Sequence, residues 1–374
     1  MKRDVQLRQG KGHRLGERGM KTLLAAAWVF AVLSCASVQE PFEETDWRTQ
    51  VLKQDPAMLR APHFKDGKYF NPWLPMKTRP FGSYLMIRLF SEEAEYTDEG
   101  KKHLPAVLPD TAARLRERTG DFILWIGHGT FLIRLGGEYW LMDPIFSKRA
   151  LVPARKTPPA ITPQDLAELR PLNVVISHNH YDHLDETSIE AMPAGTRFYV
   201  PLGLGKFVRD HGGGDVMEMD WWEETETAAG TRLVCLPAQH WSRRVTQSAN
   251  STLWASFMIT APAARIYFAG DSGYFIGFRE IGRMFSGIDY ALMPVTAYRP
   301  RWFMHYGHMD VRESLDAFRD LGARFFVPSQ WGTFHLGEEP AGYGSLELER
   351  EIKAQQLDSS KFLILDIGEF VEIR

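Results

Sequence analysis

Short runs of apolar and β-branched residues, separated by glycine and polar residues, recur along the chain from Asp121 onward. Runs of about four to eight such residues predict buried strands, whereas apolar positions that recur every three or four residues predict helices. The predicted strands are residues 122–126, 130–135, 138–142, 172–177, 197–200, 232–236, 253–259, 265–269, 290–293, 324–327 and 362–365. The predicted helices are residues 162–169, 185–191, 204–210, 311–321 and 346–356. Because strands and helices interleave, the sequence predicts an α/β fold in which loops at strand ends carry the chemistry.

The chain before residue 119 has a different pattern. Residues 36–118 are polar, rich in proline and aromatic residues and only weakly periodic, so we expect an N-terminal extension packed on a main body formed by residues 119–374. Within the extension, residues 63–73 are typical of an extended arm. The aromatic side chains of this region either lie near a membrane interface or pack on their own domain, and packing is the commoner outcome. They are Phe64, Tyr69, Phe70, Trp73, Phe81 and Tyr84.

The first residues resemble a secretory signal. An apolar run at residues 23–33 follows several basic residues, and its length of about ten residues is too short to span a bilayer, which takes about 20. The run leads into Leu33-Ser34-Cys35-Ala36, which resembles the lipobox of bacterial lipoproteins. We therefore predict a lipoprotein-type signal at residues 1–35, export, and a membrane anchor on a lipidated Cys35, with Ala36 favouring the outer membrane. The alternative is a short buried helix, and Met20 is a second plausible start.

Composition narrows the functional classes. The chain has 374 residues, of which 44% are hydrophobic and 24% charged, and a net charge of −3. Beyond the first twenty residues there is no block of lysine or arginine, so the sequence does not indicate a nucleic-acid partner. The two cysteines, Cys35 and Cys235, do not make a disulfide framework.

Four candidate metal ligands follow the predicted strand 172–177. His178, His180, Asp182 and His183 fall within six residues, although only 12 histidines occur in 374 residues. Imidazole nitrogen and carboxylate oxygen are the ligands that Zn²⁺ and related ions prefer. The alternative is a polar turn with solvated histidines, which the density of these residues disfavours. The sequence therefore predicts a metal site at this strand end.

Two further candidates follow later strands. His240 comes after strand 232–236, and Asp271 comes after strand 265–269, between Gly270 and Ser272-Gly273. A single histidine or aspartate in a loop is more often structural. Candidate ligands at three strand ends nevertheless favour one shared site.

The order of these motifs resembles the metallo-β-lactamase-fold hydrolases. A finer likeness is to the branch of N-acyl-phosphatidylethanolamine-hydrolysing phospholipase D. The matching segments are residues 125–130 (WIGHGT), 141–147 (LMDPIFS), 178–185 (HNHYDHLD), 270–274 (GDSGY), 298–304 (YRPRWFM) and 331–334 (WGTF), and they lie between about residues 120 and 337. The resemblance implies a four-layer αβ/βα sandwich whose catalytic domain is residues 119–374.

The resemblance also implies a ligand set for two zinc ions. His178, His180 and His240 would hold one ion. Asp182 and His183 would hold the second, with Asp271 bridging the two. The catalytic candidates that follow are Asp182, Asp271 and His308. His308 matches a family histidine close to the substrate, and a structural role is the alternative for it.

One position departs from the family pattern. The family has histidine immediately before Trp-Gly-Thr-Phe, where it completes the second zinc site, and this chain has Gln330. A glutamine carbonyl is a weaker, neutral ligand, so the second site is expected to bind its ion less tightly. His335, five residues further on, is a candidate replacement ligand.

Other residues receive supporting roles by the same resemblance. Asp143 is expected to orient a ligating histidine from behind, and His128 is expected to support the site rather than to ligate. Arg299 and Arg301 are candidates for binding the substrate headgroup, with a solvated surface position as the alternative.

The implied reaction is hydrolysis of a phosphodiester. A bound divalent ion lowers the pKa of its water from 15.7 to about 7, so hydroxide can attack phosphorus at neutral pH. The expected substrate is N-acyl-phosphatidylethanolamine, from which N-acylethanolamine would be released. Two alternatives stay open: a hydrolase of lactones or other phosphodiesters on the same fold, and a non-catalytic binding lipoprotein with a degenerate second metal site.

Overall fold

The computed structural model describes residues 42–76 and 96–373. The predicted signal segment 1–35, including Cys35, lies outside the described residues. Phe81 and Tyr84 of the predicted N-terminal extension also lie outside them. Cys235 is buried as a free thiol.

The strands form two large sheets and one short hairpin. They are β1 (Phe64–Lys65), β2 (Lys68–Tyr69), β3 (Phe122–Gly127), β4 (Thr130–Leu135), β5 (Glu138–Met142), β6 (Leu172–Val175), β7 (Arg197–Pro201), β8 (Asp215–Met219), β9 (Glu224–Glu226), β10 (Arg232–Leu236), β11 (Ser256–Ala261), β12 (Ala264–Phe268), β13 (Tyr290–Pro294), β14 (Phe325–Ser329) and β15 (Phe370–Glu372). The first sheet has the order β15-β3-β4-β5-β6-β7-β8 and the second the order β14-β13-β12-β11-β10-β9. In both sheets antiparallel pairs give way to parallel pairs, at β5–β8 and at β12–β14.

The described helices are mostly short. The α-helices are α1 (Glu44–Leu52), α2 (Asp98–Lys102), α3 (Thr111–Glu117), α4 (Glu186–Glu190), α5 (Gly205–Asp210), α6 (Gly277–Met284), α7 (Arg301–Met304), α8 (Val311–Leu321) and α9 (Tyr343–Ala354). Three 3₁₀ turns lie at Pro56–Arg60, Pro163–Leu166 and Ser359–Lys361. Among the described helices, none combines the length and the apolar content that crossing a bilayer requires.

Alternation along the strands sorts side chains into two cores. On β3, Phe122, Leu124 and Ile126 enter a cluster with residues of α3, α4 and α5, whereas Ile123 and Trp125 enter a cluster with the second sheet. Successive side chains of a strand point to opposite faces, so one sheet can serve both cores at once. The larger cluster also takes in side chains of α6, α8 and α9. This arrangement confirms the predicted four-layer sandwich of helices, two sheets and helices.

The sequence placed most elements within a few residues. Strands 130–135, 138–142 and 232–236 and helix 311–321 have the predicted bounds. Strand 362–365 is wrong: Phe362 makes only an isolated bridge to Phe326, and the last strand is β15. The pattern missed β8 because its side chains are largely exposed at the sheet edge, which leaves no apolar run to detect.

Residues 42–76 contribute to the larger core. Trp47 and Val51 of α1 are buried in it, together with Tyr69 and Trp73 of the predicted arm. Phe64 differs, since 55% of it is exposed. For Tyr69 and Trp73 the packing alternative therefore holds.

Candidate metal centre

The candidate ligands of the first sheet lie in the loop after β6. The backbone N–H of Ser177 donates to Asp143 at 2.6 Å, which fixes the start of this loop against the end of β5. Asp143 has a φ of +37°, a conformation that side chains rarely adopt and that clusters at functional sites. His178, His180 and His183 follow directly, on the edge of the sheet where the parallel strands end.

The loops after β10 and β12 bring His240 and Asp271 to the same place. Nε2 of His178 lies 2.8 Å from Nδ1 of His180, and Nε2 of His240 lies 3.1 Å from that same atom. Oδ2 of Asp271 lies 3.6 Å and 3.5 Å from the two Nε2 atoms. We call these four residues the first group.

A second group lies beside the first. Oδ2 of Asp182 is 3.3 Å from Nε2 of His183 and 3.0 Å from Nε2 of His128. Nε2 of His183 is also 3.3 Å from Oδ1 of Asp271. Asp271 therefore faces the first group with one carboxylate oxygen and the second group with the other.

Hydrogen bonds on the far side of the ring fix the tautomers of His178 and His240 in the first group. The Ser177 hydroxyl donates to Asp143 at 2.6 Å, so the contact of 2.9 Å between Ser177 Oγ and Nδ1 of His178 needs a proton on that nitrogen. Nδ1 of His240 donates to the Gly307 carbonyl at 2.9 Å. In the neutral rings, both Nε2 atoms therefore turn a lone pair toward His180 and Asp271.

The same argument applies to His183. Its Nδ1 donates to Asp143 at 2.6 Å, so Nε2 of the neutral ring has a lone pair between two carboxylates. This Nε2 is buried and has no hydrogen-bond partner. Three electron-rich atoms that face one another in a buried place require a cation or a proton between them. The donor set therefore fits a bound metal ion.

Electrostatics separate the two groups. Burial lowers the pKa of His178 and His240 well below the ordinary value, and burial lowers that of His180 to about 4. These rings are neutral at neutral pH, the form in which imidazole binds a metal. Burial also lowers the pKa of His183, but the carboxylates of Asp271, Asp182 and Asp143 outweigh it and hold that pKa well above its usual range. The second group thus attracts positive charge strongly.

Gln330 does not present an oxygen to the second group. Its side-chain NH₂ donates to Oδ1 of Asp271 at 2.7 Å and to the Gly270 carbonyl at 3.1 Å. Because both partners are acceptors, the amide nitrogen and not the oxygen must face them. Among the described residues, His335 belongs to neither group.

Arg301 has structural partners. Its guanidinium contacts Glu313 at 2.8 Å and Glu44 at 2.7 Å, and it donates to the His308 carbonyl at 3.2 Å. Glu313 is fully buried, and burial raises its pKa to about 8 although the charge of Arg301 favours the ionised form. The side chain therefore holds the loop that carries His308, and headgroup binding by Arg301 stays a prediction.

Arg299 precedes helix α7, and His308 follows it. The backbone N–H of Arg299 donates to Glu339 at 3.1 Å, and its guanidinium lies 5.9 Å from the Tyr298 ring. Nδ1 of His308 lies 3.9 Å from Oδ2 of Asp271, and its ring is 5.2 Å from that of His240. His308 is thus adjacent to the first group, with 17% of its side chain exposed.

Two supporting residues were missed from the sequence. Ser177 connects Asp143 to His178, and its position directly before the motif was a usable signal. Asn71 donates to the His240 carbonyl at 3.0 Å from 169 positions away in the chain. No local pattern marks Asn71, because its partner is fixed only by tertiary packing.

Comparisons with known proteins agree with this geometry. A family model described as a beta-lactamase superfamily domain matches residues 139–331. The N-acyl-phosphatidylethanolamine-hydrolyzing phospholipase D 1 of Caenorhabditis elegans is 32% identical over 333 residues, which cover 83% of this chain and 92% of that protein. The mitochondrial N-acyl-phosphatidylethanolamine-hydrolyzing phospholipase D of Saccharomyces cerevisiae is 33% identical over 292 residues, which cover 74% of this chain and 61% of that protein.

A solved structure shows the same fold. A possible metal-dependent hydrolase from Veillonella parvula aligns with a TM-score of 0.56 at 16% identity, covering 68% of this chain and 100% of that one.

Proposed function

The chain belongs to the metallo-β-lactamase superfamily, in the branch of N-acyl-phosphatidylethanolamine-hydrolysing phospholipase D, and we propose that it is a zinc phosphodiesterase. Its similarity to members of this superfamily shows that it is a metal-dependent hydrolase. The observation that carries the finer proposal is the convergence of two donor groups on the two oxygens of Asp271. Two metal ions bound side by side are typical of enzymes that cleave phosphate esters.

The proposed substrate is N-acyl-phosphatidylethanolamine, after the relatives that share this branch. Water adds its oxygen to phosphorus, and the bond from phosphorus to the ethanolamine oxygen breaks. The products are phosphatidic acid and N-acylethanolamine, whose new hydroxyl takes up a proton. A bound divalent ion supplies hydroxide near neutral pH and stabilises the charge on the phosphate oxygens.

The chain's own residues position the reacting groups. His178, His180 and His240 would hold one ion, and Asp182 and His183 would hold the second. Asp271 keeps the two groups together, since each of its oxygens faces one of them. Asp143 and Ser177 fix the rings of His183 and His178 from behind, which keeps their lone pairs directed inward.

His308 is the proposed contact to the substrate. Its partly exposed ring lies beside Asp271 and His240, and Arg301 holds its backbone carbonyl. From this place it can donate to a phosphate oxygen or to the leaving oxygen.

The test is turnover by the full chain loaded with Zn²⁺. N-acyl-phosphatidylethanolamine in detergent micelles should yield equal amounts of N-acylethanolamine and phosphatidic acid. His178→Ala and Asp182→Ala should abolish turnover without changing the circular dichroism spectrum. His211→Ala, which alters a ring that stacks on Phe207, is the matched control and should keep activity.

Two results would contradict the assignment. Full activity in both ligand variants would exclude the proposed site. Hydrolysis of a lactone without any hydrolysis of a phosphodiester would assign the chain to the other substrate class on this fold.

A membrane anchor at Cys35 is proposed from the sequence alone. A lipidated N-terminus would keep the enzyme on a bilayer, close to a phospholipid substrate. Mass spectrometry of the mature N-terminus tests this: a diacylated Cys35 supports the anchor, and an unmodified Met1 or Met20 contradicts it.

A further inference from the structure

The second group lacks the ligand that its family places before Trp-Gly-Thr-Phe. Gln330 occupies that position, and its NH₂ group is already used by Asp271 and the Gly270 carbonyl. An amide nitrogen that carries two protons has no lone pair for a metal. Asp182, His183 and Asp271 would then hold the second ion with one protein ligand fewer than the family pattern gives.

We propose that His128 fills this place and binds the second metal ion through Nε2. This inference rests on the proposed function, because it assigns a ligand within the same two-metal site. Nε2 of His128 lies 3.0 Å from Oδ2 of Asp182, and the ligand atoms of His128, Asp182 and His183 all lie within 4.8 Å of one another.

The tautomer of His128 supports ligation. Its Nδ1 lies 3.3 Å from the backbone carbonyl of Gln330, which can only accept. Nε2 faces a second acceptor, Oδ2 of Asp182, at 3.0 Å, so a neutral ring can donate to only one of the two. With the proton on Nδ1, the lone pair of Nε2 points toward the carboxylate of Asp182. A lone pair and a carboxylate oxygen at that distance repel each other unless a cation lies between them. Nε2 of His183 likewise faces carboxylate oxygens with a lone pair.

The backbone of His128 is held firmly in an unfavourable conformation. Its φ is +54°, in the left-handed region that side chains rarely adopt. Thr333 Oγ1 accepts its N–H at 2.9 Å, and its carbonyl accepts from Trp125 Nε1 at 2.8 Å and from the Gln330 N–H at 3.0 Å. Strain that the surroundings over-determine in this way is typical of functional positions.

Gln330 and His128 form a reciprocal pair. The Gln330 N–H donates to the His128 carbonyl, and the Gln330 carbonyl faces Nδ1 of His128. The residue that replaces the family's histidine thus orients the ring that takes over its ligand position. Its side chain in addition donates to Oδ1 of Asp271, the residue that would be shared by the two ions.

The test measures metal binding, not only activity. The full chain is freed of metal and titrated with Zn²⁺ against a chromophoric chelator, and the bound metal is counted by mass spectrometry. Wild type should bind two ions. His128→Asn should keep the first ion and bind the second at least about 100-fold more weakly. Asparagine is the conservative choice because it tolerates the left-handed region and can still donate to the Gln330 carbonyl.

Two further variants distinguish His128 from Gln330. Gln330→Ala is the matched control: it removes the contact to Asp271 but no ligand, and two ions should still bind. Gln330→His in the His128→Asn background restores a histidine at the family position and should recover the second ion. With both sites filled at saturating Zn²⁺, X-ray absorption spectra should show fewer histidine ligands per zinc in His128→Asn than in wild type.

The outcomes separate the two proposals. A wild-type chain that binds no metal refutes the two-metal function itself. Two ions in wild type and two equally tight ions in His128→Asn refute only the role of His128, and leave it as a hydrogen-bond donor to Asp182. Loss of the second ion in Gln330→Ala but not in His128→Asn would assign the ligand to Gln330. If His128→Asn fails to fold, His128→Gln is measured by the same criteria.

Discussion

Three aspartates at the metal centre differ in what surrounds them. Asp143 is fully buried, and its carboxylate accepts hydrogen bonds from Ser177 and His183. Both of its oxygens are therefore occupied by protein donors. Asp182 and Asp271 turn their oxygens toward histidine nitrogens that carry no proton in the neutral rings. The three residues are all aspartates, so their different roles come from their neighbours. Asp143 orients a ligand, whereas Asp182 and Asp271 can bind metal.

Glu339 is a buried carboxyl group outside both metal-binding groups. Burial raises its pKa to about 7, although backbone N–H groups, including those of Tyr298 and Arg299, favour the charged form. Between pH 4.5 and 7 the folded protein therefore holds a proton that the unfolded chain has lost. Its contribution to stability is present below about pH 4.5 and is lost as the pH rises through 7.

Glu339→Gln should remove this pH dependence. From pH 4.5 to 7, the free energy of unfolding of wild type should fall by about 3 kcal/mol relative to that of the variant. One pKa unit corresponds to about 1.4 kcal/mol. Urea unfolding of both proteins at several pH values measures it. A difference that stays constant over this range would show that Glu339 is charged throughout.

The arm of residues 63–73 supports the metal centre from behind. The side chain of Asn71 donates to the His240 carbonyl at 3.0 Å and to the Tyr306 hydroxyl at 2.7 Å, and it accepts from Trp254 Nε1 at 3.1 Å. Asn71 thereby connects the loop that carries His240 to the loop that carries His308. A segment that the sequence marks only as an extended arm thus positions a candidate ligand.

Asn71→Ala should weaken both the fold and the metal site. Leaving buried partners without their hydrogen bonds costs about 1–3 kcal/mol of stability. Loss of support for a ligand lowers metal affinity by about 10–100-fold. Urea unfolding and chelator competition measure the two effects.

Thr227→Ala is the matched control, because the buried Thr227 hydroxyl donates to Glu138 at 2.6 Å, at the start of β5 and away from the metal ligands. It should keep the metal affinity of wild type. Equal losses of affinity in both variants would mean that the effect of Asn71 is a general loss of stability.

The metal centre joins the two sheets of the molecule. Four candidate ligands follow β6 of the first sheet, whereas His240 and Asp271 follow β10 and β12 of the second. An ion held by both sets can bind only when the sheets are packed together. Metal binding should therefore stabilise the whole sandwich and not only the loops.

Removing the metal should lower the melting temperature. At a free-ion concentration of about 100 times Kd, binding adds about 2.7 kcal/mol to the stability, which corresponds to roughly 5–10 °C in a domain of this size. Differential scanning calorimetry with and without EDTA measures the shift. Asp271→Ala, which removes the residue shared by both groups, should show a much smaller response to EDTA. An EDTA shift as large in this variant as in wild type would contradict the shared role of Asp271.

Much of the fold and part of the site could be predicted from the sequence. The strands and the run from His178 to His183 depend on neighbouring residues, and periodicity and spacing record such local relations directly. His240 and Asp271 could be proposed because they also follow strands, and loops at strand ends tend to meet.

The partners of distant side chains were decided only by the tertiary structure. Gln330 turns its NH₂ group to Asp271, Arg301 pairs with Glu313, and His128 meets Asp182 across 54 positions of the chain. Each of these contacts depends on how the sheets, the arm and the loops pack, which no short stretch of sequence contains. The sequence by itself determined which residues could bind metal, and the packing decided which of them face one another and through which atoms.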